Sequence, residues 1–109
     1  MTTETFKKHL ADTFTECLEI VNRKNNDYAG TDDPFKNFFL AETLGIPAEK
    51  ACIVRMADKL QRVSNLLDKE GLVVDESIDD TLNDLINYSA ILKAILLEQK
   101  LKKQANTPN

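Results

Sequence analysis

The chain offers turns very few places to form. Its three glycines, Gly30, Gly45 and Gly71, and two of its three prolines, Pro34 and Pro47, fall in short stretches between long runs that neither residue interrupts. A β-sandwich or barrel places turn signals every 8–12 residues or so, and here that punctuation is missing. Aromatic residues make up only 6% and there is no Trp, which also argues against a sheet protein. Helices are the default.

The apolar spacing agrees. From about Thr3 to Asn26, Phe6, Leu10, Phe14, Cys17, Leu18 and Val21 recur at three- and four-residue steps, the period of an amphipathic helix. The following Arg23-Lys24-Asn25-Asn26-Asp27-Tyr28 and Gly30-Thr31-Asp32-Asp33 favour turns. Asp33 is placed to cap a short second helix with Pro34 at its first position, Phe35, Phe38, Phe39 and Leu44 on its apolar face, and Gly45 as its stop. Pro47 opens a third helix of about twenty residues, with Ile53, Met56, Leu60, Val63 and Leu67 predicted on one face and Gly71 ending it. Asp75 reads as the cap of a fourth and longest helix reaching about Lys103. Leu72-Val73-Val74 is too short for a sheet and reads as a buried linker. The expected architecture is one all-α domain over residues 1–103, a bundle of four helices, followed by a disordered polar tail at 104–109.

Composition narrows the function. At 109 residues, 42% hydrophobic and 29% charged, the chain has the make-up of a single globular domain. Its net charge of −4 argues against binding along duplex nucleic acid. No apolar run is long enough for a signal peptide or a membrane span, which predicts a cytoplasmic protein with no membrane partner. Cys17 and Cys52 sit in apolar helical patterns as inert core thiols, and His9 has no companion for a metal site. A chain this short buries only about 60–70% of its unfolded surface, so a homo-oligomer is expected, formed through the apolar second half of the last helix.

The third and fourth helices differ most in charge. Lys50, Arg55, Lys59 and Arg62 accompany a single acid, Asp58, whereas residues 75–84 carry five acids and no base. Arg55, Asp58, Lys59, Arg62 and Asn65 share an arc of roughly 120°, and Glu76, Asp80, Asn83, Asp84 and Asn87 share a similar one on the next helix. Polar arcs are ordinary on surface helices. Here, however, the acidic arc continues into Ile91 and Ile95, so solvent is not its expected neighbour. Glu76, Asp80 and Asp84 also stand at four-residue steps, where each like-charge pair costs roughly 0.2–0.5 kcal/mol. A cation such as Mg2+ held by Asp58, Asp80 and Asp84 would relieve that repulsion, and so would salt bridges to Arg55 and Arg62. The stretch Lys24-Asn25-Asn26-Asp27-Tyr28 adds a cation for phosphate, amides for base or sugar edges and a ring for stacking, although as a helix terminus it needs no function.

Four ordered motifs go further: K-N-x-D-Y at Lys24 to Tyr28, D-P-F-x-N-F at Asp33 to Phe38, R-M-x-D-K-x-x-R at Arg55 to Arg62, and E-S-I-x-D-T-L-x-D-x-x-N-Y at Glu76 to Tyr88. Together they resemble the nucleotide modification associated domain 1 family, small proteins common in bacteriophages and prophages. That family looks similar to the all-α MazG-type nucleotide pyrophosphohydrolases, which are oligomeric and bind Mg2+ through carboxylates on two adjacent helices. The resemblance implies a MazG-like arrangement with Asp58, Asp80 and Asp84 as metal ligands and Glu76 or Asp80 activating water. It implies phosphate contacts from Lys24, Arg55, Lys59 and Arg62, and nucleotide positioning by Asn25, Asp27, Tyr28 and Asn87. If the chain is phage-encoded, its compartment is the host cytoplasm.

The departures from that pattern matter. The pyrophosphohydrolases carry E-x-x-E and E-x-x-D, whereas this chain has Asp58-x-x-Gln61, and Asp80 and Asp84 spaced by four. One acidic ligand is missing. Three readings follow: Mg-dependent pyrophosphate hydrolysis of an NTP or dNTP, a non-catalytic anti-defence sponge for a nucleotide or cyclic nucleotide signal, and a structural bundle whose charged arcs are salt bridges.

Overall fold

In a computed structural model the backbone is described for residues 1–27, 35–70 and 76–106. Helix α1 spans Thr3–Asp27, α2 Lys36–Leu40, α3 Ala48–Glu70 and α4 Glu76–Ala105, with a 3₁₀ turn at Ala41–Leu44 after α2. No strand occurs among the described residues. The fold is an all-α bundle.

Local chemistry explains most of the boundaries. Gly45 takes the left-handed conformation, φ 79°, and its N–H bonds the Glu42 carbonyl 3.0 Å away, closing the 3₁₀ turn as expected of a glycine stop. Pro47 sits just before α3, and its carbonyl accepts from the N–H groups of Lys50 and Ala51 at 3.0 Å, so the missing proline N–H costs nothing. The second helix differs from expectation. It begins at Lys36, and Phe35 occupies the capping position with no side-chain cap bond. Asp33, Pro34, Leu72-Val73-Val74 and Asp75 lie outside the described residues, as does the end of the tail.

α3 and α4 form an antiparallel pair. Glu49 meets Gln99 at one end and Lys59 meets Asp84 at the other, with Cys52 bonding the Tyr88 carbonyl between them. Phe38 from α2 closes over this seam, with Ala48, Cys52 and Ile95 buried beneath it and Tyr88 edge-on to the Phe38 ring at 6.2 Å. The covered line of α3 runs through the buried Ala48 and Cys52 and the half-buried Met56, Lys59 and Val63, so of the predicted face Met56 and Val63 are covered while Ile53, Leu60 and Leu67 are exposed. Small side chains decide this. Ala48 and Cys52 let α2 and α4 approach closely, which bulky residues at those positions would prevent. The rotation carries Lys59 inward.

α1 packs on α4 alone among the described elements. The contact is made by Cys17, whose Sγ lies 3.7 Å from Asn83 Oδ1 and 3.8 Å from the Asn83 carbonyl, and by Asn87, whose Nδ2 donates to the Cys17 carbonyl at 3.2 Å. Both cysteines are free and buried, and each thiol meets a carbonyl of α4. No helix among the described residues is long and apolar enough to cross a membrane.

Candidate functional site

Three charged side chains from three helices converge. Asp84 on α4 receives Lys59 of α3 at 3.1 Å on Oδ2 and Lys24 of α1 at 3.7 Å on Oδ1. The carboxylate is 24% exposed and Lys59 30%, so both stand in a partly sheltered junction, while Lys24 reaches in from the rim. These three groups alone sum to +1, on a chain whose net charge is −4. Arg55 and Arg62 extend this basic surface, because they lie on α3 about 40° and about 60° from Lys59 around the helix axis. Both are exposed.

Below the junction lies a polar layer of a different kind. Asn83 is 3% exposed and its Nδ2 has no hydrogen-bond partner among the described residues. An unpaired buried amide donor costs roughly 1–3 kcal/mol, so its retention is informative. The Cys17 thiol beside it is pushed up from its ordinary value of 9.0, first by burial and then by the negative charges of Glu16, Asp79 and Asp84. It is therefore protonated at neutral pH and serves as a hydrogen-bond donor, not as a nucleophile.

The structure brings together some of the predicted site residues and separates others. Lys24, Lys59 and Asp84 meet, joining the basic arc, the acidic arc and the end of α1, which the sequence presents as distinct clusters. Asn87 is committed to the α1 backbone. Asp58 and Asp80 are exposed, and among the described residues no three metal-binding side chains gather closely enough to hold an ion. The side chains of Asn25, Asp27 and Glu76 and the whole of Tyr28 lie outside the described residues. In this arrangement the donor set fits Mg2+ poorly, because Asp84, the sheltered acid, already has an ammonium on each oxygen. Asn83 was not among the predicted site residues. Its only sequence signal is the four-residue step to Asn87 within the polar arc, which does not distinguish a buried amide from a solvated one.

Fold and site together define a small helical bundle in which two lysines and an aspartate from three helices meet at a partly exposed junction. In the comparison with known families, residues 24–97 match nucleotide modification associated domain 1, and the chain belongs to that family. No curated protein and no solved structure matches the chain. Lys24, Lys59, Asn83 and Asp84 all fall within the matched residues, whereas Cys17 and the preceding part of α1 do not.

Proposed function

We propose that the protein binds a nucleotide or nucleotide-derived ligand at the junction of α1, α3 and α4, with the ligand's phosphates held by Lys24 and Lys59 and flanked by Arg55 and Arg62. The observation that carries this reading is the convergence of two lysines from separate helices on one partly buried carboxylate. Asp84 keeps the ammoniums in place until a more highly charged phosphate arrives, an arrangement that preorganises the site. Asn25, Asp27 and Tyr28 follow Lys24 in sequence and supply contacts for the base and sugar. The ligand pool is cytoplasmic on this reading, and the working unit is a homo-oligomer.

Binding is favoured over hydrolysis because the acid best placed to hold a metal is saturated by ammoniums. A divalent ion on this reading enters only with the ligand's phosphates, and no step is assigned to it. Thermal-shift measurements against mono-, di-, tri- and cyclic nucleotides, with and without Mg2+, test the proposal. A ligand should raise the melting temperature of the wild type, and Lys24→Gln combined with Lys59→Gln should abolish that response. Unchanged melting across the panel rejects nucleotide binding. Release of pyrophosphate or phosphate from any NTP or dNTP, lost in Asp84→Ala, replaces the binding reading with the pyrophosphohydrolase one.

A further inference from the structure

The chain exposes more surface than its mass warrants. Its accessible area is 8566 Å², against about 6,100 Å² expected for a compact monomer of 12.3 kDa. Its radius of gyration is 17.0 Å, against about 13 Å for a compact domain of this length. The excess of about 2,500 Å² per chain, about 5,000 Å² for two, stands at the upper end of what obligate homodimers bury, where the two partners together lose roughly 2,000–5,000 Å².

The uncovered apolar surface has a definite place. On α1, the face that meets α4 through Cys17 continues toward the N-terminus as Phe14, Leu10 and Phe6, all within about 60° of Cys17 around the axis. All three are exposed, with Phe14 at 54% and Phe6 at 50%. On α4, the face that meets α1 through Asn83 continues as Ala90, Leu97 and Leu101, within about 40° of Asn83. These are exposed too. Each helix is therefore covered over one stretch of its apolar stripe and bare over the next. The bare part of α1 precedes Lys24, the first residue of the family match.

We propose that a second copy of this chain covers both bare stripes, so that the N-terminal half of α1 and the C-terminal half of α4 in each subunit form the layer between subunits. A two-fold contact makes each stripe available to the partner at the same time, which suits two bare stripes on one chain. The proposal enlarges the interface expected from the sequence, which lay on α4 alone, and it does not rest on the nucleotide reading.

Sedimentation equilibrium of the full chain is the test. The expected mass is at least twice 12.3 kDa at micromolar concentration. Phe6→Glu with Phe14→Glu should reduce it to that of one chain while the helical circular dichroism persists, and Leu44→Glu, at an exposed leucine on neither stripe, should leave it unchanged. Hydroxyl-radical footprinting of the wild type adds a readout that needs no variant: Phe6 and Phe14 should be protected. A single-chain mass for the wild type, or an oligomer in which both phenylalanines label freely, overturns the proposal. So does a wild-type monomer that partitions onto phosphatidylcholine–phosphatidylglycerol vesicles, since a lipid surface would then be what covers the stripe.

Discussion

Asp84→Asn separates a counter-ion from a ligand-binding acid. At an effective dielectric constant near 20, attractions across 3.1 and 3.7 Å amount to about 5 kcal/mol each before desolvation and side-chain ordering are subtracted. With Lys24 60% exposed, its share is largely screened. The net loss on neutralising Asp84 is then about 1–2 kcal/mol, and the two ammoniums are left facing each other without an anion. For a domain of this size that lowers the melting temperature by roughly 5–10 °C at low salt and fixed protein concentration. Inorganic tripolyphosphate should reverse the loss. At ten times its dissociation constant it returns about 1.4 kcal/mol, and the variant should respond at lower concentration than the wild type because no carboxylate has to be displaced. The measurement is a thermal-shift titration of both proteins with tripolyphosphate in the absence of divalent metal. A variant as stable as the wild type shows that the bridge contributes nothing, and a variant that no longer responds to an anion to which the wild type responds shows that Asp84 itself holds the ligand. Either result refutes the counter-ion reasoning.

Ile95→Ala, at a fully buried position in the α2–α3–α4 seam, should cost about 2–5 kcal/mol in denaturant unfolding. Gly45→Ala should lower the melting temperature by several degrees, at a cost of about 1–2 kcal/mol, through the left-handed backbone alone, since an added Cβ meets nothing within 4 Å. Burial raises the Cys52 thiol as it does Cys17, so the folded state holds these protons more tightly than the unfolded chain. Stability from this source is complete below the ordinary thiol value of 9.0 and declines as pH rises through the raised folded values, and Cys52→Ala should flatten the alkaline limb of an unfolding-versus-pH curve. Glu49 shifts the other way, because the Gln99 amide donates to its carboxylate at 2.8 Å. Gln99→Leu should bring the Glu49 titration, followed by NMR, back up toward 4.5.

The helices were legible because their signals are local. Gly45 ends its turn with a positive φ, Pro47 precedes α3, and the three- and four-residue steps of α1 appear as a continuous helix. The face that α3 buries was legible only in part, at Met56 and Val63, since periodicity identifies an apolar stripe without saying which neighbour approaches it. Ile53, Leu60 and Leu67 form a better stripe on paper than Ala48 and Cys52 do. Packing chose the second, because interaxial distance is set by the smallest residues at the contact, and only the second line admits Phe38 and Ile95.

The same cause governs the candidate site. Charge complementarity between consecutive helices pointed to salt bridges from Arg55 and Arg62, whereas Lys59 is the base that meets Asp84, and Lys24 joins them only because α1 lies across α4 at Cys17 and Asn83, a long-range placement that no local spacing encodes. Once α1 is set there, its cation completes the bridge, Asn87 turns to its backbone, and the Asn83 amide is buried without a partner for Nδ2 among the described residues. A contact built mainly on polar groups and one thiol is a weak hold for a 25-residue helix whose apolar stripe is half bare. The position of Lys24, and with it the charge of the junction, would then be coupled to whatever covers Phe6, Leu10 and Phe14, so stripe variants that dissociate a dimer should also weaken phosphate binding although none of them touches the ligand.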